Sequence, residues 1–295
     1  MKRKHIDFFI YISLIFLIYA LIKNRYLSLP SIKNWPALCL SVLFLLGFYL
    51  SSSFNWQMML RKHEIFISPT TSLSSFGLSV FGKYIPGKIW TVMGQAVYVS
   101  EGTHVPLKDL SAISLENLLF HIWTGLIFGG VGVFIVGGMR LWGWIILLFL
   151  FILTLVLWSS VFHIFLEKTI RLIQRREIKI PRLESRLKMS LIPWFSLNML
   201  LLTLAFYLFS VAICSGRISL PVGLGFPLAG TLGLMAFFAP GGLGIREGIL
   251  IGYLKLAGIS TQEAVTISVS SRLWVLMGES LIFILGYYLD KRRRG

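Results

Sequence analysis

The stretch 81–90, FGKYIPGKIW, sets two lysines around an Ile-Pro-Gly break inside apolar sequence, and 237–248, FFAPGGLGIREG, repeats the device with Arg246 and Glu247. Proline cannot continue the helix before it, and glycine relieves the backbone at the turn. In lipid such a break is tolerated only where the exposed backbone is buried in protein or lines a wet cavity. Two interruptions of one kind, each beside costly charge, therefore predict broken helices rather than ordinary spans.

The rest of the chain supplies the setting. Of 295 residues, 56% are hydrophobic and 14% charged, and the mean hydropathy is +0.79. A soluble domain of this size cannot hide so much apolar surface, so the expected class is an all-α polytopic membrane helix bundle. The net charge of +16 lies between apolar runs and at both ends, where it meets lipid headgroups; nucleic acid is not an expected partner. Cys39 and Cys214 fall in apolar runs and read as small packing residues. The five histidines form no metal-binding pattern, and no cofactor is expected.

Full spans are expected near 7–23, 36–60, 111–137, 142–166, 190–214 and 264–288, with broken apolar regions at 66–104 and 218–258. The first span follows a basic N-terminus without a small-x-small cleavage site and reads as an uncleaved anchor. The basic stretch 167–188 predicts a cytoplasmic loop, and Lys2, Arg3, Lys4 and Lys291 to Arg294 place both termini on the same side of a cell (plasma or inner) membrane. Counting sides then makes the first broken region begin and end inside and the second begin and end outside. Residues 1–295 are thus expected as one transmembrane domain built from inverted repeats, about 7–137 and 142–288, each carrying a re-entrant hairpin. Whether the hairpins re-enter or cross fully stays open at this point. Inverted repeats with discontinuous helices place a binding site near the midplane.

The helix start after a break carries free N–H groups and partial positive charge, which suit an anion. The candidate binding residues are therefore Lys83, Tyr84, Pro86, Gly87 and Lys88 at the first break. At the second they are Pro240, Gly241, Gly242, Gly244, Arg246 and Glu247. An alternative leaves these residues only ending hairpins, with Lys83 and Lys88 reaching an interface and Arg246 pairing with Glu247. Further polar groups lie inside spans: Glu116, Asn117 and His121 in one, and Ser268, Arg272 and Glu279 along one face of the last. Mid-membrane charge costs about 2.5–3.5 kcal/mol on insertion scales, so each expects a partner in the bundle interior. Glu116 with Arg272 and Arg246 with Glu279 are the expected pairs. Glu116, Arg272 and Glu279 join the candidate site as the lining of a polar path. Glu64, Glu101, Lys108 and Asp109 are expected at solvated interfaces. No nucleophile–base arrangement or nucleotide loop is present, so catalysis is not expected.

GKYIPGKIW, Glu116, PGGLGIREG and Arg272, in this order, resemble the lysylphosphatidylglycerol synthase transmembrane family, also called flippase-like integral membrane proteins. The likeness covers nearly the whole chain. It implies a multi-span bundle with two re-entrant hairpins. In fused members this domain moves aminoacylated phosphatidylglycerol between leaflets and precedes a soluble synthase domain. This chain stops at Gly295, so aminoacyl transfer is not implied for it. Asn117 departs from the pattern, in which a basic residue follows the acid in many members. The resulting expectation is a lipid translocase that binds an anionic phospholipid or lipid-linked headgroup. The alternative is a non-catalytic partner of an envelope glycosyltransferase or synthase in glycolipid or polysaccharide biosynthesis.

Overall fold

The computed structural model describes residues 30–85, 89–137, 141–159, 183–214, 216–236, 242 and 244–294. The expected span 7–23, the tripeptide Pro86-Gly87-Lys88, the break residues Pro240 and Gly241, and loop residues 167–182 lie outside them.

Helix α1 (Trp35–Lys62) begins where Asn34 Oδ1 accepts from the Ala37 N–H at 3.0 Å, with Pro36 in the first turn, and ends on Arg61 and Lys62. Cap, proline and terminal cations each suit the end they occupy. Next come α2 (Pro69–Ser79), a 3-10 turn (Val80–Tyr84), α3 (Ile89–Gly102), α4 (Leu107–Gly137) and α5 (Leu141–Trp158). The second half holds α6 (Ser185–Met189), α7 (Ile192–Ile213), a 3-10 turn (Leu220–Leu224), α8 (Gly225–Met235), α9 (Ile245–Leu256) and α10 (Thr261–Arg294). Among the described residues there is no strand.

Among the described residues four stretches are long and apolar enough to cross a membrane: Trp35–Lys62, Leu107–Gly137, Ser185–Ile213 and Thr261–Arg293. Leu43, Phe134, Leu148, Phe151 and Ile284 stand exposed on the bundle, an arrangement that lipid favours and water does not. By contrast α2, α3, α8 and α9 have 11, 14, 11 and 12 residues. Each is shorter than the roughly 20 residues a spanning helix needs. α2 packs on α3 and α8 on α9, so both broken regions are paired short helices. The pairs recur at corresponding points: Pro69 and Gly225, Ile89 and Ile245, and Leu107 and Thr261 begin helices in the same order.

Polar clasps and small residues hold the bundle. α1 packs on α7, where Ser41 Oγ donates to the Ala205 carbonyl at 2.8 Å and Asn198 Nδ2 donates to the Phe48 carbonyl at 2.8 Å. Without a hydrophobic drive between helices in lipid, such bonds and close backbone approach carry association. α2 supplies buried Ser72, Ser75 and Ser79, with Trp56 Nε1 donating to Ser75 Oγ at 3.1 Å. The main apolar core joins α1, α7, α8 and α10, with the Phe209 and Trp274 rings stacked at 4.9 Å. A second gathers Trp56, Phe120, Leu157 and Phe195.

α4 approaches α8 through Gly125 and Gly129, while Gly132 meets Leu224 of the second 3-10 turn and Tyr253 of α9. A Cβ on Gly129 would lie 2.6 Å from Leu228 Cβ and 2.8 Å from Leu228 Cα. Gly129→Ala is therefore expected to lower stability by about 1–3 kcal/mol, the cost of overpacking. Gly252, in the exposed interior of α9, meets nothing within 4 Å, and Gly252→Ala should hold or raise stability. Thermal unfolding in detergent checks the contrast; equal midpoints for the two variants would refute close α4–α8 packing.

Candidate functional site

The 3-10 turn ending α2 presents Lys83 and Tyr84 toward α10. There Glu279, fully buried, forms an ion pair with Lys83 and accepts from Tyr84 Oη at 2.9 Å and Tyr49 Oη at 3.4 Å. Burying a carboxylate is costly unless it is paired and hydrogen-bonded, and the cation and two hydroxyls supply both.

A second knot forms at the start of α9. Gly244 takes φ +79°, a conformation open to glycine, and its N–H donates to Glu247 Oε2 at 2.8 Å. That N–H, expected to serve a ligand, is used by the helix's own cap. Glu247 also receives Arg272 Nη2 at 2.9 Å, and Arg272 Nε lies 2.6 Å from Glu247 Oε1. Arg246 Nε stands 3.4 Å from the same oxygen, its Nη2 donates to Ser271 Oγ at 3.3 Å, and its guanidinium lies 5.2 Å from the centroid of the Phe226 ring. Gly242, with φ +68°, packs on Gly233 of α8 and holds the two arms of the pair together.

Both knots border one cavity of about 260 Å³. Lys83, Tyr84, Thr91 and Gln95 enter its wall from the first helix pair, and Phe226, Thr231 and Arg246 from the second. Asn117, His121 and Ser114 of α4 and Tyr49 and Ser52 of α1 add to the polar part, with Leu45, Phe48, Val80 and Val275 among the apolar part. The knots contribute three cations (Lys83, Arg246, Arg272) and two carboxylates (Glu247, Glu279), a surplus of one positive charge. Among the described residues no acidic side chain lines the cavity. Arg246 has five N–H donors and, within the described residues, spends one on Ser271 and directs one at Glu247, so donors remain for an anion.

The expected ion pairs are corrected. Arg272 pairs with Glu247, not Glu116, and Glu279 pairs with Lys83, not Arg246. Glu116 instead faces away from the cavity. Neighbours on a helix point about 100° apart, so Asn117 reaches the cavity while Glu116 meets His63 at 3.1 Å and Lys188 at 3.1 Å. Lys188 is itself a correction. Counted with the solvated loop 167–188, it is 3% exposed and donates to the Leu157 carbonyl at 2.7 Å. Glu64, Glu101 and Lys108 are exposed and Asp109 is half-buried.

Sequence reasoning passed over Tyr49, Thr91, Gln95, Ser114, His63 and Lys188. Gln95 carried the clearest signal, a lone amide in an apolar helix. The hydroxyl residues carried none, since serine and threonine often bond back to their own helix.

Fold and site together define an all-α membrane protein that gathers buried charge around one internal cavity. The chain belongs to the family described as Lysylphosphatidylglycerol synthase TM region, whose model matches residues 6–282, and it is a membrane protein of lipid and envelope processes. A search of curated proteins finds no match.

Proposed function

We propose that this chain is a lipid translocase that takes an anionic phospholipid or lipid-linked headgroup into the cavity near the membrane midplane, without covalent chemistry. The observation that carries the reading is the cavity's position: both short-helix pairs wall it, and among the described residues the two knots beside it exceed neutrality by one cation. A phosphate monoanion completes that balance. Arg246 offers it unused donors, Lys83 offers a flexible charge with 30% of its side chain exposed, and the acyl tails stay in the bilayer.

In this reading the halves 7–137 and 142–288 are inverted repeats and the short pairs are re-entrant from opposite faces, in a cell (plasma or inner) membrane. The helix order supports it, as does the family. Arg61, Lys62, Lys291 and Arg293 lie at helix ends, and Arg293 Nη1 donates to Thr71 Oγ1 at 2.9 Å near the base of the first pair. By the positive-inside bias this end is cytoplasmic, together with both termini and the loop 167–188. Movement is passive or ion-coupled.

The test is headgroup scrambling in proteoliposomes. Arg246→Gln keeps the Glu247–Arg272 pair and should slow scrambling of an anionic lipid about tenfold or more, matching the loss of a charge-assisted hydrogen bond of about 1.5–3 kcal/mol. The charge-neutral double variant Lys83→Gln/Glu279→Gln should slow it as well. Wild-type rates in both, with monodisperse protein, would overturn the site. They would favour a non-catalytic partner of an envelope glycosyltransferase or synthase, to be sought by co-purification.

A further inference from the structure

Part of the cavity wall is neutral yet polar. Gln95 of α3 and Asn117 of α4 are each 5% exposed, and both line the cavity. Ser114 Oγ donates to Gln95 Oε1 at 3.3 Å, which leaves the amide N–H groups of Gln95 as donors. Asn117 Oδ1 and Thr91 Oγ1 have no hydrogen-bond partner among the described residues. A buried amide and hydroxyl left in that state call for a ligand that both gives and accepts hydrogen bonds. A phosphate diester with plain alkyl substituents has no donor to offer them. An ammonium offers donors only, and it would bring a fourth positive charge beside Lys83, Arg246 and Arg272. The nearby carboxylates Glu247 and Glu279 are already engaged. A hydroxyl group meets both needs without adding charge.

We propose that the headgroup accepted here is a phosphate ester of an uncharged polyol, either glycerol or a sugar, and that headgroups ending in an ammonium are disfavoured. This rests on the anion-binding reading above: Arg246 and Lys83 take the phosphate, while Thr91, Gln95 and Asn117 take the hydroxyls. Selectivity follows because donors and acceptors built to meet a hydroxyl are left unpaired by an analogue that lacks it. The inference separates this chain from a carrier of aminoacylated lipid, although the fold is shared.

Native mass spectrometry of the full chain, titrated with lipids of identical acyl chains, tests it. Phosphatidylglycerol and phosphatidylmethanol carry the same charge and differ in hydroxyls. The wild-type chain should bind the first about three- to tenfold more tightly, as one or two net hydrogen bonds provide. Lysyl-phosphatidylglycerol should bind more weakly than phosphatidylglycerol. In Gln95→Leu and Asn117→Leu, phosphatidylglycerol affinity should fall toward that of phosphatidylmethanol. A polyprenyl-phosphate sugar added as competitor separates the two sources: displacement of phosphatidylglycerol supports a sugar-linked lipid, and failure to displace it supports the glycerol lipid. Equal binding of phosphatidylglycerol and phosphatidylmethanol by the wild type would overturn the polyol assignment and leave the anion site standing. So would tighter binding of the lysyl lipid. Anionic-lipid affinity unchanged in Arg246→Gln would instead remove the anion site itself. The wild-type comparison needs no variant, so a misfolded substitution does not block the test.

Discussion

Glu247→Gln is expected to destabilise the bundle by about 3–5 kcal/mol, read as a large drop in thermal unfolding midpoint in detergent. The carboxylate sits between two buried guanidiniums, with Arg272 Nε at 2.6 Å and Arg246 Nε at 3.4 Å. Glutamine preserves volume and keeps an oxygen for the Gly244 cap, so the loss isolates charge rather than packing. What remains is two cations side by side, where an interior dielectric screens them poorly. A second substitution, Arg272→Met, should recover part of the loss in the Glu247→Gln background. The same substitution alone should be harmful, because among the described residues it leaves Glu247 the longer contact to Arg246 as its one cationic partner beside the Gly244 N–H. Strong non-additivity of that kind reports direct coupling. A Glu247→Gln midpoint within about 0.5 kcal/mol of wild type, the range of ordinary surface substitutions, would contradict the buried triad.

Lys188→Met should cost a similar amount, about 3–5 kcal/mol, by leaving the Glu116 carboxylate in a 3%-exposed site with His63 as its one partner among the described residues. Lys188 also donates to the Leu157 carbonyl at the end of α5, so its loss frees a backbone acceptor that the ammonium satisfied. Three segments meet at this junction: the end of α1 through His63, α4 through Glu116, and α6 through Lys188. Glu116→Gln in the Lys188→Met background removes the stranded charge and should restore stability toward wild type. Tolerance of Lys188→Met alone would show that the junction is not held by charge.

The two knots differ in how far they could be read in advance. Arg246, Glu247, Arg272 and Glu279 stood out because charge in an apolar run demands a partner, and all four are buried and paired. The alternative that Arg246 pairs with Glu247 holds, but the pairs Glu116–Arg272 and Arg246–Glu279 were misjudged because sequence shows the face of a helix but not the rotation of one helix against another. Lys188 was misjudged for a related reason. Eight basic residues in 167–188 look like a headgroup-facing loop, and only the packing of α6 against α5 shows that Lys188 is buried. Gln95, Thr91 and Ser114 reach the cavity because α3 lies along α4, a neighbourhood that no local spacing encodes.

By itself the sequence determined the solvent and the plan. Run length and apolar content called for lipid, and the Pro-Gly breaks marked where helices stop short, because backbone geometry at proline and glycine is a local property. Only tertiary structure decided which charges meet and which neutral side chains share a wall with Lys83 and Arg246. Ion pairing and cavity lining depend on distances between helices remote in the chain, and these are set by close contacts such as Gly129 on Leu228 and Gly278 on Leu45.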